Sequence, residues 1–474
     1  MSLGKKIAHN TITQMTGKIL STFLGLAAMA MLTRYLGDEK FGWYITTISF
    51  LGFLGILIDF GMTPVTAQML GENKFEKTKL FSNILTFRFF TALIFLSIAP
   101  LTAFLFPYPH TVKIAILFTS ISFFAITLNQ VFIGFLQERL TMQIQAFGEV
   151  ISRIVLVVGL FLAISGRASF YTLMWVIVVA SISYTLSLYL YIRKKTKITF
   201  SFDRKIWLTI LQKMWPIAIA IIFNVVYLRG DVLVLSYFRE QSVVGIYGAA
   251  YRVIDLVIQT AMMVMGVMLP LLANSWVAGN KQEFQERYQM SFDAMMLIAL
   301  PMFTGLFLLS HQIMLFVAGE SFYLSGDALK ILSLAVLGVF LGGIFGHLAV
   351  AVNMQKKVMW VYISNAIITL IGYLIFIPRY GMYGAAWMTV FSEFYTALLV
   401  FFSIRKSFYQ PLKLKLFLKI ILANIIMGLF IILVLKKLPL LMTIIFSGLV
   451  YILVLIISRT VSKEQLKDLL TLKN

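Results

Sequence analysis

The chain has 474 residues, 60% of them hydrophobic and only 12% charged, with a mean hydropathy of +0.92 and a formal net charge of +21. Soluble domains carry about a quarter charged residues, so a soluble fold is excluded, and the length accommodates roughly a dozen to fourteen membrane helices with little chain to spare. Cysteine is absent, which removes disulfides, thiolate metal sites and cysteine nucleophiles.

Apolar stretches predict fourteen helices, near residues 11–34, 41–69, 80–106, 112–135, 144–165, 170–192, 213–238, 243–275, 290–318, 327–352, 357–377, 382–404, 414–436 and 438–458. Lys5 and Lys6 precede the first, and Ala28-Met29-Ala30 is superficially like a signal-peptidase site. Lys18 interrupts the apolar run and the span is long, so it is read as an uncleaved helix. Its Asn10, Gln14, Lys18, Ser21 and Gly25 recur at helical spacing and predict a face lining a cavity. The second span repeats that pattern less cleanly with Ser49, Gly52, Asp59 and Thr63. Pro64 and Pro270, near one end of the second and eighth spans, are paired breaks of the kind that mark binding regions.

The longest polar interruption lies between the sixth and seventh spans. Here Arg193, Lys194, Lys195, Lys197, Arg204, Lys205 and Lys213 face one acid, Asp203. The chain on one side overlays the other. An ungapped shift of 212 residues puts Arg167 on Arg379, Tyr171 on Tyr383, Trp175 on Trp387 and Ile192-Arg193-Lys194 on Ile404-Arg405-Lys406. With gaps, Tyr35, Gly42 and Tyr44 match Tyr237, Gly245 and Tyr247, and Gln137-Glu138-Arg139 matches Gln355-Lys356-Lys357. Six spans separate the equivalents, so both halves enter the membrane in the same direction. The expected fold is an all-α integral membrane protein of about 14 transmembrane helices: two pseudo-symmetric six-helix bundles in parallel repeat, plus two C-terminal helices. The expected divisions are an N-terminal lobe over 1–192, a basic linker over 193–212, a second lobe over 213–406, and two extra helices with a tail over 407–474.

Alternate loops carry most of the lysine and arginine on the side of the two termini, which predicts cytoplasmic termini. The positive charge is thus a topology signal and not a nucleic-acid footprint. Inside the spans remain Lys18, Arg88, Arg153, Arg229 and Arg252, with Asp59, Glu149, Asp231, Asp255, Asp293 and Glu393. Each costs about 2.5–3.5 kcal/mol at the bilayer centre even on a lenient scale, so each needs a cavity or a partner. Glu149 and Arg153, four apart, are read as a mutually neutralising pair, whereas Arg252 and Asp255, three apart, fit either a structural pair or a site. Gly338, Gly342 and Gly346 predict close helix packing. His9, His110, His311 and His347 have no metal-ligand spacing, and phosphate loops and serine elbows are missing. A membrane glycosyltransferase would need a long outer loop, and the one holding Asp38-Glu39 is too short. The chain is read as no enzyme and as needing no cofactor.

Asn10-Thr11, Gly17, Ser21, Gly25, Arg34-Tyr35-Leu36-Gly37, Phe41-Gly42, Tyr44 and Asp59-Phe60-Gly61 resemble the opening of polysaccharide-type flippases of the multidrug/oligosaccharidyl-lipid/polysaccharide exporter superfamily. The resemblance implies two six-helix bundles around a cavity lined by the first, second, seventh and eighth helices. It implies transfer of polyprenyl-(pyro)phosphate-linked oligosaccharides from the inner to the outer leaflet of the cell membrane. The partners it implies are that substrate, membrane lipids and polysaccharide polymerisation machinery. On this reading Lys18, Arg88, Arg229 and Arg252, with Gln14, bind the substrate, and Asp59, Asp255 and Asp231 are candidates for ion coupling. A cation-coupled small-molecule antiporter and a peptidoglycan lipid-precursor flippase are the alternatives within the superfamily. A scaffold without transport is the alternative outside it, and the polar stripe of the first helix argues against it.

Overall fold

The protein is described here from a computed structural model that covers residues 3–59, 61–72, 74–405, 411–434 and 438–458, excepting the side chains at 3–12, 15, 57–59, 216, 217, 219, 220, 222–224, 226 and 228. All regular structure among these residues is helical: α1 (Leu3–Asp59), α2 (Met62–Gly71), α3 (Lys77–Ala103), α4 (His110–Glu138), α5 (Gln143–Ser165), α6 (Phe170–Ile192), α7 (Arg204–Phe238), α8 (Gln241–Val277), α9 (Lys281–Ala318), α10 (Ser325–Ala351), α11 (Gln355–Tyr380), α12 (Met382–Arg405), α13 (Lys415–Leu433) and α14 (Leu440–Ile457). Twelve helices among them are long and apolar enough to cross a membrane. The chain is a multi-span membrane protein, as its composition requires.

The first two expected spans are divided differently from the sequence reading. Gly37, with φ of 69°, kinks α1 and lets one helical run hold the first span and most of the second. The second span then stops at Asp59, and α2 starts afresh after Gly61, which sits in the left-handed region at φ 70°. Pro64 falls in the first turn of α2, where its missing amide is harmless. Its expected counterpart Pro270 lies inside α8, which continues through it. The break is therefore made by glycine and in the first half alone.

The chain divides into two compact units, Met1–Gly245 and Ile246–Asn474. In the first, α4 packs against α1, α2, α3 and α6, while α5 packs against α1 and α6. One core cluster joins Met62, Val65 and Met69 of α2, Leu80 and Phe81 of α3, Phe132 and Phe135 of α4, Leu188 of α6, and Ile206, Ile210 and Met214 of α7. In the second unit α10 packs between α9 and α12, with α11 on α12. A β-carbon at Gly338 of α10 would stand 2.8 Å from that of Glu393 on α12, the close packing expected of that glycine. The two extra helices rest on α9, where Asn424 donates to Thr304 at 2.6 Å and the Tyr451 hydroxyl to the Leu297 carbonyl at 2.9 Å.

α7 and α9 begin well before their expected starts, because charge hid an amphipathic first turn. α7 starts at Arg204, capped by Asp203, whose carboxylate accepts the Lys205 amide at 2.9 Å. Its Ile206, Ile210 and Met214 recur every four residues and are buried, each contributing about 1.5–3 kcal/mol, while Lys205 is exposed. α9 starts at Lys281 behind an N-cap, Asn280, whose side chain accepts the Glu283 amide at 3.1 Å and donates to the Glu283 carboxylate at 3.1 Å.

The rest of the basic joint is an extended strap along α3. Its backbone amides donate to α3 side chains: Ser201 to Thr86 at 3.0 Å and Asp203 to Asn83 at 2.7 Å. Lys79 meets Asp203 at 2.6 Å, and Lys213 of α7 meets Glu72 at 2.6 Å. The Lys79 ammonium, helped by the α7 cap amides, holds the Asp203 carboxyl below its ordinary value, and Lys213 does the same for Glu72. A depressed carboxyl contributes stability above its unfolded pKa and loses it as pH falls through the folded one. Amide exchange at Ser201 and Asp203 is therefore expected to stay protected from pH 7 to 5 and to be released only below about pH 4. Release near pH 6 would contradict this account of the strap.

Candidate functional site

Small residues let α1 and α5 approach closely. A β-carbon at Gly17 would stand 2.8 Å from that of Ala146, and one at Gly25 would stand 3.8 Å from the Arg153 guanidinium carbon. Between these contacts Lys18 meets Glu149 at 3.2 Å, and the Ser21 hydroxyl donates to the same carboxylate oxygen at 3.0 Å. The polar stripe of the first helix thus faces a matching stripe, Ala146, Glu149 and Arg153, on α5. Gln14, one turn before Lys18, is half-buried. The Lys18 side chain stays 40% exposed and that of Glu149 23%, so the pair is only partly enclosed.

This arrangement corrects the expected pairing of Glu149 with Arg153. Glu149 turns to the facing helix, where a lysine and a serine both reach it. Arg153 makes no ion pair among the described residues, yet it lies in a membrane span. A charge so placed is costly unless it faces a polar space, which makes Arg153 a site candidate that the i,i+4 spacing had cancelled out. The α1–α5 contact therefore holds two cations and one carboxylate.

The remaining expected residues are placed as follows. Arg88 of α3 is fully buried; its Nε donates to the Thr127 carbonyl of α4 at 3.1 Å, and another of its nitrogens donates to the Gln130 side chain. Its guanidinium clamps α3 to α4. On α7, Arg229 is exposed and Asp231 is fully buried, with a carboxylate oxygen accepting the Val232 amide at 2.8 Å. Asp59 ends α1 beside the Gly61 break, and its side chain lies outside the described residues. In the second unit, Arg252 and Asp255 of α8 form a loose pair at 3.8 Å, with side chains 36% and 16% exposed. The structure thus brings Lys18 together with Gln14 on one face of α1, and Arg252 together with Asp255, while Arg88 is held apart in the α3–α4 contact.

A family model for polysaccharide biosynthesis proteins matches residues 7–276, and the MatE model matches residues 216–377. The chain is 26% identical over 162 residues to a probable low-salt glycan biosynthesis flippase of Haloferax volcanii, Agl15. That match spans about a third of each protein, 34% of both. Among solved structures, the lipid II flippase MurJ in an inward closed conformation aligns with a TM-score of 0.80 at 21% identity, over 94% of this chain and 99% of that one. An inward-facing multidrug resistance MATE family transporter aligns with a TM-score of 0.67 at 14% identity, over 84% of this chain and 98% of that one. At such identities the two structures bear on fold alone. The family model, by contrast, covers more than half of the sequence: the chain belongs to the polysaccharide biosynthesis protein family of the multidrug/oligosaccharidyl-lipid/polysaccharide exporter superfamily.

Proposed function

We propose that the protein is a flippase that carries a polyprenyl-(pyro)phosphate-linked oligosaccharide from the inner to the outer leaflet, for assembly of a cell-surface polysaccharide. The observation that carries this reading is the α1–α5 contact, where Lys18 and Arg153 stand against a single carboxylate inside the membrane-spanning region. A sugar head group cannot cross hydrocarbon, and a surplus of cations between these helices suits its phosphates. Arginine is apt for this because its fork binds phosphate oxygens in pairs and keeps its charge when desolvated. The isoprenoid tail would stay in lipid throughout.

In this proposal Lys18, Arg153, Arg229 and Arg252 contact the phosphates and Gln14 hydrogen-bonds the head group. Arg88, sealed between α3 and α4, acts behind them by fixing the helices. Asp59, Asp231 and Asp255 are the proposed coupling carboxylates, since a carboxylate facing a cavity can alternate between protonated and charged forms. The distribution of lysine and arginine supports cytoplasmic termini in the cell membrane. The match of the MatE model to residues 216–377 favours a second reading, a cation-coupled exporter of small molecules. Loss of the protein from its own cell distinguishes the two. A lipid-linked saccharide, intact and facing the cytoplasm, is the expected accumulating species. Normal saccharide turnover with retention of a cationic dye instead would favour the exporter.

A further inference from the structure

The first unit carries a cavity system apart from the residues proposed to contact the head group. A groove of about 470 Å³ runs between α3, α4 and α6, with Phe89, Ala125, Leu128 and Leu186 in its wall together with Phe200 of the strap. Its rim residues are open: Ile121 is 42% exposed, Leu186 50% and Phe200 71%. The three helices are membrane-spanning, so what meets this rim is hydrocarbon. A groove of this size and lining suits one long acyl chain.

At the ends of the same three helices lies a polar cavity of about 420 Å³. It is lined by Lys77, the first residue of α3, by Arg139 just past α4, and by Lys195 just past α6, with Glu138 among them. Glu138 meets Lys77 at 2.6 Å and Arg139 at 3.8 Å, while Lys195 lies over the Tyr191 ring at 6.0 Å. Three cations against one acid leave a positive surplus. Leu128 in the groove and Arg139 in the polar cavity are eleven residues apart along α4. That is about 16 Å of helix, the reach of a lipid from its phosphate into its acyl chain.

We propose that α3, α4 and α6 hold one anionic glycerophospholipid, its phosphate on Lys77, Arg139 and Lys195 and one chain in the apolar groove. The bound lipid braces the strap, since Phe200 packs on Phe89 at 5.2 Å and would cover the chain. Basic pockets between membrane helices at a cytoplasmic face recognise anionic head groups.

Native mass spectrometry of the full chain, titrated with phosphatidylglycerol or phosphatidylcholine, tests this. One phosphatidylglycerol is expected to be retained about tenfold better than phosphatidylcholine. Arg139→Gln with Lys195→Gln, at sites outside the core, should erase the preference. Ile121→Trp, which adds bulk at the rim, should weaken retention of both lipids. Inorganic phosphate in excess should displace neither. Equal retention of the two lipids, an unchanged preference in the charge variant, or displacement by inorganic phosphate would overturn the proposal. So would tighter retention of a polyprenyl phosphate, which would give the groove to the transported lipid.

Discussion

Replacing Gly42 or Gly245 by alanine is expected to remove most of the folded protein. These two glycines were matched as repeat equivalents, and in the first unit they meet each other. A β-carbon on Gly42 would overlap the Gln241 carbonyl oxygen and stand 2.5 Å from its carbon. One on Gly245 would overlap the Asp38 carbonyl oxygen and stand 2.8 Å from the Gly42 nitrogen. Every obstructing atom is backbone, so no side chain can swing aside. Overpacking a core costs about 1–3 kcal/mol when side chains can adjust, and more when they cannot, against a total stability of about 5–15 kcal/mol. The same contact carries the buried hydrogen bond from Thr46 to the Gln241 side chain at 2.6 Å, which a displaced backbone would break. Gly266→Ala is the control, because nothing lies within 4 Å of its β-carbon position. Thermal unfolding in detergent should show both contact variants far below wild type and Gly266→Ala beside it. Wild-type midpoints for Gly42→Ala and Gly245→Ala would mean that the helices do not approach this closely.

The second large effect separates function from folding. Lys18→Gln and Arg252→Gln are expected to leave folded protein at near-normal levels and to reduce translocation at least tenfold each. The Lys18–Glu149 pair is partly exposed and the Arg252–Asp255 pair is long, so each contributes no more than about 1 kcal/mol to the fold. A hydrogen bond from a charged donor to phosphate is worth about 1.5–3 kcal/mol, enough for a tenfold to hundredfold loss. Arg88→Gln should behave in the opposite way. Its guanidinium is fully buried with hydrogen bonds to α4, so the yield of folded protein should fall. Membrane fractionation with size-exclusion profiles, read beside transport, checks all three. If Lys18→Gln instead lost folded protein, its charge would serve only to neutralise Glu149.

Membrane-length apolar stretches were legible in the sequence because hydrocarbon leaves the backbone few alternatives to a helix. Helix starts were hidden where charge lay inside the first turn. The lysines and arginines around Asp203 read as a linker, yet the buried Ile206, Ile210 and Met214 make the segment from Arg204 the start of α7. The polar stripe on α1 was readable from its spacing, but what it faces is a three-dimensional fact. Glu149 and Arg153 are closer in sequence than Glu149 and Lys18, and the facing helix still won. The Gly61 break was misassigned to Pro64, because a proline in a first turn starts a helix as readily as it ends one. Arg88 looked like the other intramembrane cations, and nothing in its neighbours along the chain announces the Thr127 carbonyl that accepts from it.

The most direct test of the central claim is translocation in sealed vesicles containing only this protein and a polyprenyl-pyrophosphate-linked oligosaccharide in the leaflet facing the lumen. The sugar is then probed with a membrane-impermeant glycosidase added outside. The account predicts that wild-type protein exposes the sugar, and that the double variant Lys18→Gln, Arg252→Gln exposes it no faster than protein-free vesicles. Wild-type vesicles that protect the sugar as fully as protein-free ones would contradict it.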